Sequence, residues 1–275
     1  LIEYHNFIYT KKLYDLERNL ERELNDRLTF SIPLKSQNFT ILDGLDKMQE
    51  KAVKNALFNN LSILTGGPGT GKTFTINAII NSIKSINMSF CLLAPTGKAA
   101  DRMAELTNEQ TSTIHRKLCI NEFMETEETI EEDFCIVDEC SMLDLELAYK
   151  LISNLSTHTK LVLVGDINQL PSVGPGNVLS DLIYSNKFTT TRLTTVHRQA
   201  QDSSIVKNAY AVINDDLIDY SKKTDFAFIE LENVEEIKNT ILNLEGQILS
   251  SQHESGLGTD VLNLVIQDKD EIGFY

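Results

Sequence analysis

The stretch Leu61-Ser62-Ile63-Leu64-Thr65-Gly66-Gly67-Pro68-Gly69-Thr70-Gly71-Lys72-Thr73 leaves the chain little choice of architecture. A short apolar run feeds a glycine-rich turn, and the turn opens a helix. Gly66, Gly71, Lys72 and Thr73 stand at the spacing of a loop that wraps a polyphosphate. Its backbone N–H groups point inward, an approach that a side chain at either glycine would block. In such a loop the lysine reaches the β- and γ-phosphates and the threonine hydroxyl goes to Mg²⁺. The first turn of the helix adds its unpaired N–H groups and dipole. A structural glycine turn is the plainer reading, and the strand before and helix after argue against it.

A chain of 275 residues, 41% hydrophobic with 13 Gly and 5 Pro, is long enough for one large α/β domain and part of another. No run of 18 apolar residues occurs, and Leu1-Ile2-Glu3-Tyr4-His5 lacks the pattern of a signal peptide, so a soluble, cytoplasmic protein without a membrane partner is expected. Cys91, Cys119, Cys135 and Cys140 lie in or beside apolar segments without zinc-ligand spacing and read as reduced core residues. The net charge of −15 argues against a nucleic-acid partner only until its distribution is considered. Residues 121–150 hold 11 acids and 1 base, and 211–275 hold 14 acids and 4 bases, a net of −10 in each. The remainder, which carries the motifs, is +5, so DNA binding stays open with weak non-specific affinity.

Leu13, Leu16, Leu20, Leu24 and Leu28 recur at helical spacing among charges and predict an amphipathic helix packed on the core of an N-terminal accessory region, residues 1–38. Pro33 and Lys35-Ser36-Gln37-Asn38 read as a linker. A second helical pattern starts near Leu42 and ends before the phosphate loop. Helices are then expected near 73–86, 97–106, 112–118, 143–154 and 176–185, and strands at 89–94, 134–137 and 160–164. That alternation predicts a parallel sheet with helices on both faces, residues 39–189, and ligands at the carboxyl ends of its strands. The acidic stretch 121–133 reads as an exposed loop or hairpin. Past residue 190 a further unit is expected, with strands near 191–193, 226–230 and 261–266 and helices near 203–213 and 234–249.

Phe134-Cys135-Ile136-Val137-Asp138-Glu139 reads as a buried strand ending in two carboxylates, as a nucleoside triphosphatase needs opposite its phosphate loop. Asp138 would hold Mg²⁺ and Glu139 would orient and deprotonate the attacking water. A third apolar strand ends in Gly165-Asp166-Ile167-Asn168-Gln169, where Gln169 could sense the γ-phosphate or simply belong to a turn.

Together these stretches resemble the RecD-like branch of superfamily 1 DNA helicases, which includes the exodeoxyribonuclease V alpha subunit. The likeness runs over roughly residues 42–213. It rests on Gln49 in its Leu-x-x-x-Gln-x-x-Ala-Val context, Gly66 to Thr73, Ala94-Pro95-Thr96-Gly97-Lys98-Ala99-Ala100, Thr113-Ile114-His115-Arg116, Val137-Asp138-Glu139-Cys140-Ser141-Met142, Gly165 to Gly176, and Val196-His197-Arg198-Gln199.

The resemblance implies a P-loop NTPase with a RecA-like parallel sheet, followed by an incomplete second RecA-like domain over 190–275. It implies ATP and Mg²⁺ as cofactors, held by Gln49 at the adenine, by Gly67, Pro68, Gly69, Thr70, Gly71, Lys72 and Thr73, and by Thr73 and Asp138 at the metal. Lys72, Asp138, Glu139, Gln169 and an arginine finger, Arg198, would be catalytic. Thr96, Lys98, Thr113, His115 and Arg116 would contact single-stranded DNA, although surface charge is the plain reading of His115 and Arg116. His197 reads as packing beside Arg198. The implied activity is ATP-dependent 5′-to-3′ translocation in recombination or repair, with other subunits of a recombination nuclease as partners. Two later family motifs are not found before Tyr275, so the chain reads as a fragment or a truncated motor. A nucleotide-dependent binding module, an RNA motor and the helicase part of a conjugative relaxase remain alternatives.

Overall fold

In the computed structural model, residues 1–4, 7–120, 128–197, 201–221, 225–244 and 246–271 are described. The chain divides into two compact units, Leu1–Asp216 and Leu217–Tyr275. The first is built on β3 (Leu61–Gly66), β4 (Phe90–Ala94), β5 (Thr111–Thr113), β6 (Phe134–Val137), β7 (Lys160–Gly165) and β8 (Thr189–Leu193). They form one parallel sheet in the order β5-β4-β6-β7-β3-β8. β3, β6 and β7 are fully buried, as near-continuous apolar runs covered on both faces should be.

Alternation along each strand sorts side chains to two cores. Ile63, Val137 and Leu163 join the face covered by α1 (Lys11–Leu28), α6 (Leu145–Ser153) and α7 (Val178–Tyr184). Leu64, Ile136 and Val164 join the face covered by α2 (Lys47–Phe58), α3 (Lys72–Ser85) and α4 (Gly97–Thr107). From β3 the chain crosses to β4 on the far side of β6 and β7, while β8 joins β3 on its other edge. The order of connection therefore reverses at the carboxyl end of β3, where open α/β sheets bind ligands.

The leucine stripe of α1 packs on the core as expected: Leu20 and Leu24 are buried and Leu13 and Leu16 rest against them, although Leu28 is exposed. Arg27 completes the contact. Buried in the first unit, its guanidinium donates to Leu155 O at 2.7 Å, Thr159 O at 3.2 Å and Ser156 O at 3.3 Å, taking up carbonyls left over beyond the end of α6. Burial lowers the guanidinium from its ordinary pKa. Replacing Arg27 with Met strands those carbonyls, so urea denaturation should show a loss of about 2 kcal/mol. Asn60 closes the same region, accepting from Ile32 N at 3.0 Å and donating to Arg27 O at 2.9 Å and to Phe30 O. The expected linker thus begins from a fixed point.

Several expectations are corrected. Residues 2–9 hold an antiparallel pair, β1 (Ile2–Tyr4) with β2 (Phe7–Tyr9), that no pattern announced. The helix expected near 112–118 is a three-residue edge strand, β5, followed by one turn, α5 (Ile114–Lys117). The strand expected to open a second unit near 191 is β8, an edge of the first sheet, paired along β3 from Ser62↔Thr189 to Gly66↔Leu193. The helix expected near 203–213 is α8 (Ser204–Asn214), and it too lies within the first unit.

Of the acidic stretch, residues 121–127 fall outside the described residues. Its end is docked: Ile130 is buried and bridges to Leu155, Glu132 pairs with Lys117, and Asp133 accepts from Ser89 N and Lys35 Nζ.

In the unit beginning at Leu217, α9 (Val234–Leu242) is capped by Asn233, which accepts from Glu235 N, and α10 covers Thr259–Glu271. Among the described residues no strand occurs at 226–230 or 261–266. Val261 to Ile266 is a short apolar run that fits either period. Leu262 is buried while Leu264 is exposed, which a half-buried strand would not allow for residues two apart. Among the described residues no helix is long and apolar enough to cross a membrane.

Candidate nucleotide site

The loop after β3 turns through two left-handed glycines, Gly69 at φ 73° and Gly71 at φ 83°. A Cβ on Gly66 would lie 2.6 Å from Thr70 Oγ1, and one on Gly71 would lie 2.6 Å from Gln49 Nε2. The loop carbonyls are bonded from several sides. Lys72 Nζ donates to Gly66 O at 2.6 Å and Gly67 O at 3.2 Å, and Thr70 Oγ1 donates to Gly67 O at 2.8 Å. Tyr210 Oη donates to Pro68 O at 3.3 Å, His197 N to Gly69 O at 3.1 Å and Thr75 Oγ1 to Gly71 O at 2.9 Å. With its carbonyls committed, the loop has its N–H groups left for an anion, next to the first turn of α3. Lys72 would exchange two neutral acceptors for an anionic one on meeting a phosphate, a favourable trade.

Asp138 and Glu139 follow β6. Asp138 Oδ1 accepts from Glu139 N at 2.8 Å. Burial pushes the Asp138 carboxyl up to about 6, and the Glu139 carboxylate adds to the rise. The Glu139 N–H bond and the charges of Lys72 and Arg102 oppose it. Such a carboxylate gains from any cation placed beside it. Glu139 holds a left-handed φ of 53° at the start of the short 3₁₀ turn Cys140–Met142, a strained backbone at the residue expected to position water. Cys140 is buried and its thiol donates to Val137 O at 3.1 Å; burial pushes its pKa well up, as suits an unreactive core thiol. The four cysteines are free.

After β7, Asp166 builds a turn by accepting from Asn168 N at 3.0 Å and, through its carbonyl, from Gln169 N at 3.1 Å. That leaves the Gln169 side chain exposed. A cavity of about 430 Å³ brings Gly67 to Thr73, Asp138, Glu139 and Gln169 onto one surface, with Arg102 and Met103 of α4. A cavity of about 500 Å³ lies elsewhere, among Tyr4, Tyr9 and Tyr14 beside α1. Chemistry rather than size selects the former. Arg102 escaped the reading of the sequence; its position on α4, six residues after the Thr96 cap, was the available signal.

The donors present fit a nucleotide with Mg²⁺. Among the described residues no three His, Cys, Asp or Glu side chains converge on a ready-made metal cage. A hydroxyl and one carboxylate, Thr73 and Asp138, complemented by phosphate oxygens and water, are what Mg²⁺ takes in such sites.

Gln49 is fully buried. Its Oε1 accepts from Asp46 N at 3.0 Å in a capping box, and its Nε2 lies 3.1 Å from His197 Nε2. His197 therefore touches the loop and Gln49, a closer involvement than packing. Arg198 lies outside the described residues.

Thr113 ends β5 beside Ala94, the last residue of β4, and Thr96 follows two residues beyond that end. Each caps a helix: Thr96 Oγ1 accepts from Ala99 N at 3.3 Å and Thr113 Oγ1 from Arg116 N at 3.1 Å. Lys98, His115 and Arg116 are exposed on the same edge.

A family model described as an AAA domain matches residues 49–175. The chain is 32% identical over 233 residues to the ATP-dependent RecD2 DNA helicase of Deinococcus radiodurans, covering 82% of this chain and 32% of that protein. It is 27% identical over 296 residues to the RecBCD enzyme subunit RecD of Buchnera aphidicola subsp. Schizaphis graminum, covering 94% of this chain and 48% of that protein. The chain belongs to the RecD-like helicase family. To the RecD subunit of Haemophilus influenzae it is 36% identical over 163 residues, 49% of this chain and 26% of that one. The RecD-like chain thus spans between about a quarter and a half of these relatives' lengths. Among solved structures it is similar to Pif1 helicase from Candida albicans, with TM-score 0.45, 23% identity and coverage of 62% and 44% of the two chains. Bacteroides sp Pif1 in complex with ADP-AlF4 gives TM-score 0.40, 20% identity and coverage of 62% and 47%. The sheet and phosphate loop make this a nucleotide-binding P-loop fold.

Proposed function

We propose that the chain carries the ATP site of a RecD-like DNA helicase acting in recombination or repair. The observation that carries this reading is the single cavity shared by the phosphate loop, Asp138, Glu139 and Gln169. In this reading Lys72 and the loop N–H groups bind the β- and γ-phosphates. Thr73 and Asp138 would hold Mg²⁺, whose charge would offset that developing on the phosphoryl oxygens. Glu139 accepts a proton from the attacking water, and Gln169 orients that water or senses its product. Arg198 acts as the arginine finger. Gln49 faces the adenine, for which its amide must release His197.

Single-stranded DNA lies along the carboxyl ends of β4 and β5. There the first turn of α4, capped by Thr96, and Lys98 meet one phosphate, and Thr113, His115 and Arg116 meet another. Alternating grip gives 5′-to-3′ translocation. The protein works in the cytoplasm, with other subunits of a recombination nuclease as partners.

ATP turnover by the chain should rise with single-stranded DNA and fall on the order of a hundredfold or more in Glu139→Gln. Turnover that survives the substitution would refute the assignment. A second reading is nucleotide-dependent binding without translocation. Mg²⁺–ATP binding without turnover would support it.

A further inference from the structure

Gly67 is not among the residues that the phosphate-loop pattern demands, and the structure supplies another reason for its lack of a side chain. A Cβ there would lie 2.5 Å from Tyr210 Oη and 3.1 Å from Tyr210 Cζ. Tyr210 comes from α8, well over a hundred residues along the chain, and its hydroxyl donates to Pro68 O at 3.3 Å. The phenol is half-buried. Burial, then the charge of Asp166, raises its pKa, so it stays a donor at neutral pH. Four residues' carbonyls, Gly66 to Gly69, are held in place by Lys72, Thr70, Tyr210 and the His197 N–H. Two of these four holds come from the segment after β8, and only Tyr210 offers a side chain whose removal leaves the loop sequence intact.

We propose that Tyr210 is a positioning residue of the nucleotide site: ring against Gly67 and hydroxyl on Pro68 O, it fixes the outer half of the phosphate loop in its anion-accepting shape. The inference rests on the nucleotide reading given above. Tyr210 touches loop backbone and is not among the residues lining the cavity, so its effect belongs to binding, through the entropy that a preformed loop saves. It also makes the loop answerable to α8, because displacement of that helix withdraws one of the loop's holds.

Calorimetric binding of Mg²⁺–ATP to the 275-residue chain tests this, with Lys72→Ala as the reference for loss of the site. Tyr210→Ala should weaken binding about tenfold, the worth of one hydrogen bond and its ring contact, and Tyr210→Phe about threefold. Gly67→Ala should weaken it by its clash with the ring, and Gly67→Ala with Tyr210→Ala should bind as Tyr210→Ala does. Equal affinity of Tyr210→Ala, Tyr210→Phe and parent would overturn the proposal, as would a double variant whose losses simply add. Tyr210→Phe retains the ring and decides the matter should Tyr210→Ala lose its thermal transition. A parent that binds nothing overturns the nucleotide reading, and the proposal with it; a parent that binds while Tyr210 variants match it overturns the proposal alone.

Discussion

Asp138→Asn is expected to make the chain more stable at pH 7 while depriving it of nucleotide turnover. The carboxyl is pushed up to about 6 from 3.8, chiefly by burial, so the ionised form is disfavoured in the folded state relative to the unfolded one. That shift corresponds to about 3 kcal/mol of destabilisation once the group is ionised in both states. The sign follows from proton counting. Between about pH 4 and 6 the folded chain binds more protons, so its stability falls as pH rises through that window. Above it the whole cost is present; below it there is none. Asparagine carries no charge, and its Oδ1 can still accept the Glu139 N–H. Denaturation should therefore show a gain of about 2 to 3 kcal/mol at pH 7 that shrinks to nothing near pH 4. Turnover with Mg²⁺ should drop by at least about a hundredfold, because an amide is a poor ligand for a hard cation. A variant less stable than the parent at pH 7 would mean that Asp138 is paired better than its burial indicates.

The opposed outcomes also explain what was legible in the sequence. Residues selected for chemistry break the local pattern, and Asp138-Glu139 at the end of Phe134 to Val137 is visible because two acids interrupt an apolar strand. The buried strands β3, β6 and β7 announce themselves for the same reason of contrast. The edge strands do not announce their place: β5 reads as part of a helix, and β8 as a strand of a later unit. β5 reads Thr-Ser-Thr and β8 reads Thr-Thr-Thr-Arg-Leu, polar runs that belong to the sheet through contacts far apart in the chain. Thr191 accepts from Asn55 Nδ2 at 2.8 Å and Thr189 donates to Asn59 Oδ1 at 3.0 Å, so α2 and its end hold β8 against β3. Because β8 reads as the opening strand of a later unit and not as an edge of the first sheet, α8 with Tyr210 is assigned away from the loop it touches. Arg102 and Tyr210 have no local signature at all. Each is an ordinary helical residue until the fold brings the phosphate loop to it.

Lys160→Met should stabilise the chain by about 2 to 3 kcal/mol at pH 7 without altering nucleotide turnover. Lys160 opens β7 and is fully buried, opposite Phe134 in the parallel register. Among the described residues its Nζ has no hydrogen-bond partner. Its backbone N–H, by contrast, is satisfied by Asp133 O at 2.9 Å. Burial alone lowers its pKa to about 8 from 10.5. At pH 7 the ammonium is charged in both states and the folded chain bears the full desolvation cost. Between about pH 8 and 10.5 the unfolded chain binds more protons, so stability rises with pH until the cost is gone. Methionine matches the length of the apolar stem and fills the same channel without a charge. Its advantage should therefore be greatest at and below neutral pH, decline from about pH 8, and vanish near pH 10.5. Turnover should be untouched, because Lys160 sits at the amino end of the sheet while the phosphate loop, Asp138 and Gln169 follow the carboxyl ends of the strands. Urea midpoints for parent and variant across pH 6 to 10.5 would measure the difference. A variant that loses stability at pH 7 would show that the ammonium is compensated where it lies, and the pH at which the variant's advantage begins to decline would report the folded-state pKa of Lys160.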